Sequence, residues 1–237
     1  MSYLILIRHG QSTWNLEGRF TGWVDVDLTE NGKLEAKRAG ELIKKLNVKI
    51  DYYFTSLQLR ANNTLKIIQK TLNDQHNFIK AWELNERHYG MLTGLNKVEM
   101  SKKIGEEKVH QFRRSWDLRP EPLNQKSSFH PLNIDTYNVV PKENIPDTES
   151  LKDTYERATK FFKSKIEDKI NSGNVLISAH GNSIRALCKY LFKLDENEIT
   201  NLEIPTGNPL LIDFDKSLKI KKSEYLDKDR AKDLLIY

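Results

Sequence analysis

Short, continuous apolar runs recur at Tyr3 to Ile7, Tyr52 to Thr55, Val175 to Ala179 and Leu210 to Phe214, with a weaker one near Phe78 to Ala81. Runs of this kind, bounded by polar residues and without alternation, suit strands buried on both faces. Between them the period changes. Ala39, Leu42, Ile43 and Leu46 repeat at helical spacing after Thr29, an N-cap candidate, and Ala61, Leu65, Ile68 and Leu72 do so after Arg60. Two further helices are predicted: Ser150 to Ile170, with a stripe of Leu151, Tyr155, Ala158, Phe162 and Ile166, and Ser183 to Phe192, with Ile184, Leu187 and Leu191. The alternation predicts an α/β fold with a mainly parallel sheet and helices on both faces. In such a sheet the active site is expected at the C-terminal ends of the strands.

From Ser115 to Thr148 this pattern lapses into a polar stretch carrying Pro120, Pro122, Pro131, Pro141 and Pro146. Loops this long are usually functional lids or disordered, so a lid-like insertion at about 115–148 is expected. No repeat of domain size is visible, and 237 residues with 38% hydrophobic content read as a single domain spanning 1–237.

Composition then narrows the function classes. The run Tyr3 to Ile7 is too short to cross a bilayer, and the first residues lack the charged start and cleavage site of a signal peptide. No membrane association and a cytoplasmic location are expected. The single cysteine, Cys188, excludes an internal disulfide and a cysteine-rich zinc site; beside Leu187 and Leu191 it reads as a core residue. Against 33 Asp and Glu stand 38 Lys and Arg, a formal charge of +5 that modestly favours anionic partners. Small phosphates and nucleic acid both qualify. Long basic blocks interleaved with aromatics are absent, and Lys219 to Lys222 reads as a solvated strand or loop edge, so no nucleic-acid partner is expected.

One local string recurs. Ile7-Arg8-His9-Gly10-Gln11-Ser12 and Ser178-Ala179-His180-Gly181-Asn182-Ser183 each end a buried run with His-Gly-amide-Ser. A polar residue directly after a buried parallel strand projects toward the ligand site, and the following glycine allows close approach of a ligand to the backbone. The helix after His180 begins with free N–H groups that favour an anion. Two histidines so placed, with Arg8 beside one and Asn182 beside the other, are hard to explain by packing alone, because each adds a buried polar group that must be satisfied. Metal binding is the rival use of paired histidines, but no metal-ligand spacing occurs and nearby arginines would repel a divalent cation.

Arg8-His9-Gly10, the segment Thr55-Ser56 to Arg60-Ala61, a later glutamate and His180-Gly181 together resemble the histidine phosphatase superfamily. Within it, Phe20-Thr21-Gly22-Trp23, Leu84 to Gly90, Gly94-Leu95-Asn96-Lys97, Arg113-Arg114 and Ile204-Pro205-Thr206-Gly207 resemble the 2,3-bisphosphoglycerate-dependent phosphoglycerate mutases. The likeness runs from about residue 3 to 226. It implies an isomerase of glycolysis and gluconeogenesis that interconverts 3-phosphoglycerate and 2-phosphoglycerate. The same resemblance implies 2,3-bisphosphoglycerate as phosphoryl primer, no metal, and a homodimer or homotetramer.

By that resemblance His9 is the nucleophile that becomes phosphohistidine, His180 the transition-state stabiliser and Glu86 the acid and base, with Arg8 and Arg60 completing the catalytic set. Asn15 and the Gly181 amide would assist. Arg87, Tyr89, Lys97, Arg113, Arg114 and Asn182 would hold the substrate end away from His9, and Ser12, Thr21 and Gly22 would contact the carboxylate and neighbouring oxygens. Burial of Glu86 near phosphate anions is expected to raise its pKa toward neutrality. Water is the rival acceptor, so mutase rather than phosphatase activity rests on the far-end grip supplied by Glu86 to Lys97 and Arg113-Arg114. Three features depart from the family pattern: Thr13 in place of a frequent glutamate, Arg119-Pro120-Glu121-Pro122 in place of a more proline-rich run, and a short tail from about 226 ending Leu234-Leu235-Ile236-Tyr237.

Overall fold

The computed structural model describes residues 2–231, so the end of the tail, Leu234 to Tyr237, lies outside the described residues. In chain order the elements are β1 (Ser2–Arg8), α1 (Thr13–Leu16), α2 (Glu30–Lys44), β2 (Tyr52–Thr55), α3 (Leu59–Leu72), β3 (Phe78–Lys80), α4 (Lys97–Ile104) and α5 (Glu106–Arg114). Then follow α6 (Leu151–Phe161), a π-helical turn (Phe162–Ile166), α7 (Glu167–Ser172), β4 (Val175–Ala179), α8 (Gly181–Phe192), α9 (Glu196–Asn201), β5 (Leu210–Phe214) and β6 (Ile220–Tyr225).

The sheet runs β3-β2-β4-β1-β5-β6. From β3 to β1 the pairing is parallel, whereas β5 and β6 are antiparallel additions. Both faces are covered, which is why the strands read as unbroken apolar runs. Leu4, Leu6, Phe54 and Ile177 pack with Ala158, Phe162, Ile184 and Cys188 on one side. On the other, Ile5, Ile7, Tyr53 and Leu176 pack with Ala39, Ile43, Leu65 and Ile68. Successive β1 residues thus alternate between two cores, each buried side chain contributing about 1.5–3 kcal/mol.

Three expectations are refined. The helix predicted from Ser150 to Ile170 is interrupted by the π turn. Its stripe from Leu151 to Ile166 advances mostly in steps of four, wider than the 3.6 residues of an α-helical turn, and the widened turn keeps the buried Phe162 and Ile166 on the core face. The weak run at Phe78 forms an edge strand whose Ile79 is exposed. The basic run at Lys219 to Lys222 enters the other edge strand, where exposed lysines discourage pairing with a second sheet.

The proline-rich stretch is tied down at several points. Short 3₁₀ turns occur at Pro131–Asn133, Asp135–Tyr137 and Lys142–Asn144, and Tyr137 and Val140 pack against Trp23. The Leu123 amide donates to Asp147 O at 2.9 Å, and the Met91 amide to Glu121 O at 2.8 Å.

Candidate active site

Strand register brings the two histidines together. Arg8 pairs with Ala179 across parallel β1 and β4, so His9 and His180, one residue on, leave adjacent strand ends. The His9 amide donates to Ala179 O at 3.0 Å, and the two rings lie 5.0 Å apart. Thr55 pairs with Ser178 across β2 and β4, so Ser56 leaves its strand level with Ala179, one residue before His180, and its side chain reaches the His180 ring.

The two imidazoles are fixed through opposite nitrogens. His9 Nδ1 lies 2.7 Å from Gly10 O, and a carbonyl can only accept, so the proton sits on Nδ1 and Nε2 keeps its lone pair. Arg60 Nε approaches that lone pair at 3.3 Å. His180 Nε2 lies 2.7 Å from Ser56 Oγ, which also accepts from the Gln58 amide at 3.1 Å. With Oγ already accepting from Gln58, we assign the Ser56 hydroxyl proton to His180 Nε2 and the ring proton to Nδ1, a buried atom without a partner among the described residues. Both pKa values are held well below the ordinary 6.5: for His9 by burial, then Arg60 and Arg8; for His180 by burial, then Arg60 and His9. Both rings are neutral at physiological pH.

A cavity of about 100 Å³ opens in front of His9. Of the candidates named from the sequence, Arg8, Asn15, Thr21, Gly22, Arg60, Glu86, Tyr89, Lys97, Arg113, Arg114, Gly181 and Asn182 line it, and Arg19, Arg185 and Glu203 join them. Arg8 donates to Ile204 O at 2.8 Å, leaving Nε buried and unpartnered among the described residues. Arg60 is aimed by the carbonyls of Val24 and Gly22, each 2.9 Å away. Gln58 links the two sides, accepting the Glu86 amide at 2.9 Å while donating to Gly22 O at 2.9 Å.

Glu86 differs from its expected titration. Burial pushes its carboxyl up, but the Arg87 amide at 2.8 Å, Arg8, the Asn182 amide at 3.1 Å and Arg60 outweigh burial and hold it below the usual carboxylate range. The expected rise presumed phosphate anions alongside; without them the cationic surroundings win. The same field lowers Tyr89, although burial opposes it, and Lys97 is lowered by burial and then by Arg113.

Three residues expected at the site stand off the cavity wall. Ser12 is fully buried and caps α1, its Oγ accepting the Asn15 amide at 3.3 Å while the Ser12 amide donates to Asn15 Oδ1 at 3.2 Å. Arg87 is fully buried, stacked 4.6 Å from the Tyr89 ring and donating to Phe112 O, with Nε and Nη1 unpartnered among the described residues. His180 sits behind His9, with Gly181 and Asn182 forming the wall. Gly10 also serves another purpose than close approach to a ligand: a Cβ there would lie 2.1 Å from Gly32 O, so the loop after β1 can pass the start of α2 only as glycine.

Sequence reading did not single out Arg19, Arg185, Glu203, Ser56 or Gln58 as site residues. Ser56 and Gln58 lie inside the Thr55 to Arg60 string, which was the available signal; Arg185 and Glu203 arrive from α8 and the loop before β5 and carried none.

With the seven cationic side chains on the wall set against two carboxylates, the cavity is built for a highly charged anion. The donor set suits a bisphosphorylated glycerate, which carries about −4 to −5 charges if each phosphate contributes about −1.5 to −2. Among the described residues no group of three or more His, Cys, Asp or Glu could hold a metal ion.

The model of the histidine phosphatase superfamily, branch 1, matches residues 4–133 and 129–222. A 2,3-bisphosphoglycerate-dependent phosphoglycerate mutase of Pelagibacter ubique is 66% identical over 100% of both chains, and one of Maricaulis maris is 47% identical over 99% of this chain and 98% of its own. A mycobacterial glucosyl-3-phosphoglycerate phosphatase structure shares the fold at a TM-score of 0.69 and 19% identity, covering 95% of this chain and 97% of its own. The chain belongs to branch 1 of the histidine phosphatase superfamily and, within it, to the 2,3-bisphosphoglycerate-dependent phosphoglycerate mutases.

Proposed function

We propose that the chain interconverts 3-phosphoglycerate and 2-phosphoglycerate through a phosphohistidine at His9, primed by 2,3-bisphosphoglycerate and without a metal. The observation that carries this reading is the locked His9 tautomer, whose Nε2 lone pair faces a guanidinium in a cationic cavity. Phosphoryl transfer asks little covalent chemistry of a protein beyond a nucleophile, so positioning and preorganised positive charge account for most of the catalysis.

In the transfer, a bond forms between Nε2 of His9 and phosphorus as the bond from phosphorus to the glycerate oxygen breaks. Glu86 gives a proton to the departing oxygen, and takes one from the accepting hydroxyl when the phosphoryl group returns to the other carbon. Arg8, Arg60, Asn15 and the Gly181 amide bind the equatorial oxygens, and His180 donates from Nδ1 as a neutral ring. Because Glu86 starts ionised, its proton must be gained as the phosphate dianion enters and cancels the cations that lower it. The primer supplies the first phosphoryl group; Arg8 and Arg60 would hold one phosphate, and Lys97, Arg113 and Arg114 the other. Ser12 acts through Asn15, which it holds, and Arg87 acts from behind Tyr89.

The reading also places the protein in the cytoplasm as a homodimer or homotetramer with phosphoglycerates as its partners, and without nucleic-acid or membrane ligands. Among the described residues no helix is long and apolar enough to cross a membrane. The test is a coupled assay of 3-phosphoglycerate conversion in the presence of a chelator, with and without bisphosphoglycerate. Primer-dependent turnover and acid-labile, base-stable label on His9 are expected. Turnover that needs manganese, or label that never reaches His9, would overturn the reading.

A further inference from the structure

Two neighbouring arginines end α5, and the cavity uses them differently. Arg113 lines the wall without a hydrogen bond or ion pair among the described residues, whereas Arg114 is occupied. Its Nη2 donates to the Glu203 carboxylate and its Nη1 to Leu202 O at 3.3 Å. Leu202 O also accepts from Arg185 Nε at 2.9 Å, and Arg185 Nη1 holds Asn182 Oδ1 at 2.7 Å. Arg114 is thus joined through one carbonyl to the side chain that presents Asn182 to the cavity.

Glu203 is out of keeping with its surroundings. It places a carboxylate on the wall of an anion site, where a fixed negative charge opposes the ligand. Its side chain is 52% exposed and that of Arg114 only 10%, so the acid can swing into solvent while the arginine stays. An ion pair with one partner half in water is weak and easily exchanged for another carboxylate or phosphate. We infer that Glu203 is a displaceable counter-ion that occupies Arg114 between turnovers and weakens binding of any ligand whose second anionic group must take that guanidinium. The geometry makes it a specificity-determining residue at the far end of the site. Ligands that reach only the His9 end leave the pair intact; those spanning the cavity must break it. Arg185 gives supporting electrostatics: its pKa is brought down to about 9 by burial and then Arg114, with Glu203 pushing the other way.

This inference rests on the phosphoglycerate reading, and the two are separated by calorimetry on the full chain. Wild type and Glu203→Gln are titrated with 3-phosphoglycerate, which carries a second anionic group beside its phosphate, and with inorganic phosphate, which carries none. Removing the competing charge is expected to tighten 3-phosphoglycerate by about three- to tenfold and to lower its KM similarly, with inorganic phosphate changing less than about twofold. In an Arg114→Ala background the same substitution is expected to lose its effect, since the guanidinium competed for is gone. Unchanged or weaker binding of 3-phosphoglycerate to Glu203→Gln overturns the inference, as does equal tightening of both ligands, which would signal a general field. Failure of the wild-type protein to bind 3-phosphoglycerate overturns the functional reading and this inference with it.

Discussion

The segments His9 to Ser12 and His180 to Ser183 share one string and one position in the fold, yet each does a different job. At His9 the main chain supplies the anchor: Gly10 O holds Nδ1, and Nε2 is left as a base. At His180 a side chain from a third strand end, Ser56, holds Nε2, and the proton remains on Nδ1. The following residues diverge too. Gly10 lets the loop squeeze past Gly32, and Ser12 starts a short helix of its own, whereas His180 leads directly into the longer α8 and its amides. The lesson is that matching His-Gly-amide-Ser strings at parallel strand ends differ in chemistry according to which ring nitrogen the protein ties. One ring offers a lone pair and its neighbour an N–H, which is what a nucleophile and a charge-stabilising donor need.

The comparison breaks most sharply if the wrong ring is the carrier. His9→Ala is expected to lower primer-dependent turnover by more than about 10⁴-fold and to abolish acid-labile label, since the nucleophile that accepts the phosphoryl group in this reading is gone. His180→Ala should lose about 10²- to 10³-fold in kcat, the usual effect of removing one preorganised donor, while His9 still takes up label slowly. Quantitative labelling by stopped-flow quench distinguishes them. If His180→Ala were the variant that took no label, the assignment of roles would be reversed.

Much of this frame was legible beforehand, because strand runs and the residues that end them obey local rules. Tyr52 to Thr55, Val175 to Ala179 and Leu210 to Phe214 form the strands their apolar pattern predicts, and Thr29 caps α2 through the Gly32 amide. Strand ends also explain why His9 and His180 could be singled out. What the sequence hid depends on long-range register and on space. Only the pairing of β2 with β4 brings the Ser56 side chain within reach of His180, and only folding brings Glu203 to Arg114, 89 residues away. Arg87 sits in a string that implies substrate contact, but packing against Tyr89 turns its guanidinium toward Phe112 O. The stretch 115–148 carried too little periodicity to reveal its 3₁₀ turns, and no residue of it lines the cavity among the described residues.

A third histidine separates burial from chemistry. His88 is fully buried, its Nδ1 accepts the Gly90 amide at 3.0 Å, and its pKa is pushed down to about 3 by burial and then by His130. A depressed value is therefore no mark of catalysis by itself. Its consequence is for folding: the unfolded ring binds a proton below about 6.5 and the folded one does not, so stability is full above that pH and is lost as pH falls toward 3. By pH 5 the loss from this residue should reach about 2 kcal/mol. Urea midpoints measured from pH 7.5 to 5 should fall less steeply in His88→Asn than in wild type, even though the variant starts less stable. Parallel slopes would mean that His88 is protonated in the native state.

The smallest expected effect tests the comparison most directly. Ser56→Ala removes no charge and no group that touches substrate, yet it frees His180 Nε2 and deprives the Gln58 amide of its acceptor. The ring can then take either tautomer and rotate, so Nδ1–H is presented only part of the time. A fall in kcat of about three- to tenfold is expected, with KM nearly unchanged, because the donor matters as charge builds during transfer and less in the bound ground state. Ser56→Thr keeps the hydroxyl and should recover most of the loss if its methyl group fits. A purely structural role predicts a different outcome: lower stability with kcat intact, or loss in both variants alike. A nitrogen-15 spectrum of the imidazoles decides between them, since wild type should show His180 protonated at Nδ1 and Ser56→Ala a mixture, while His9, tied by the main chain, stays a single tautomer in both.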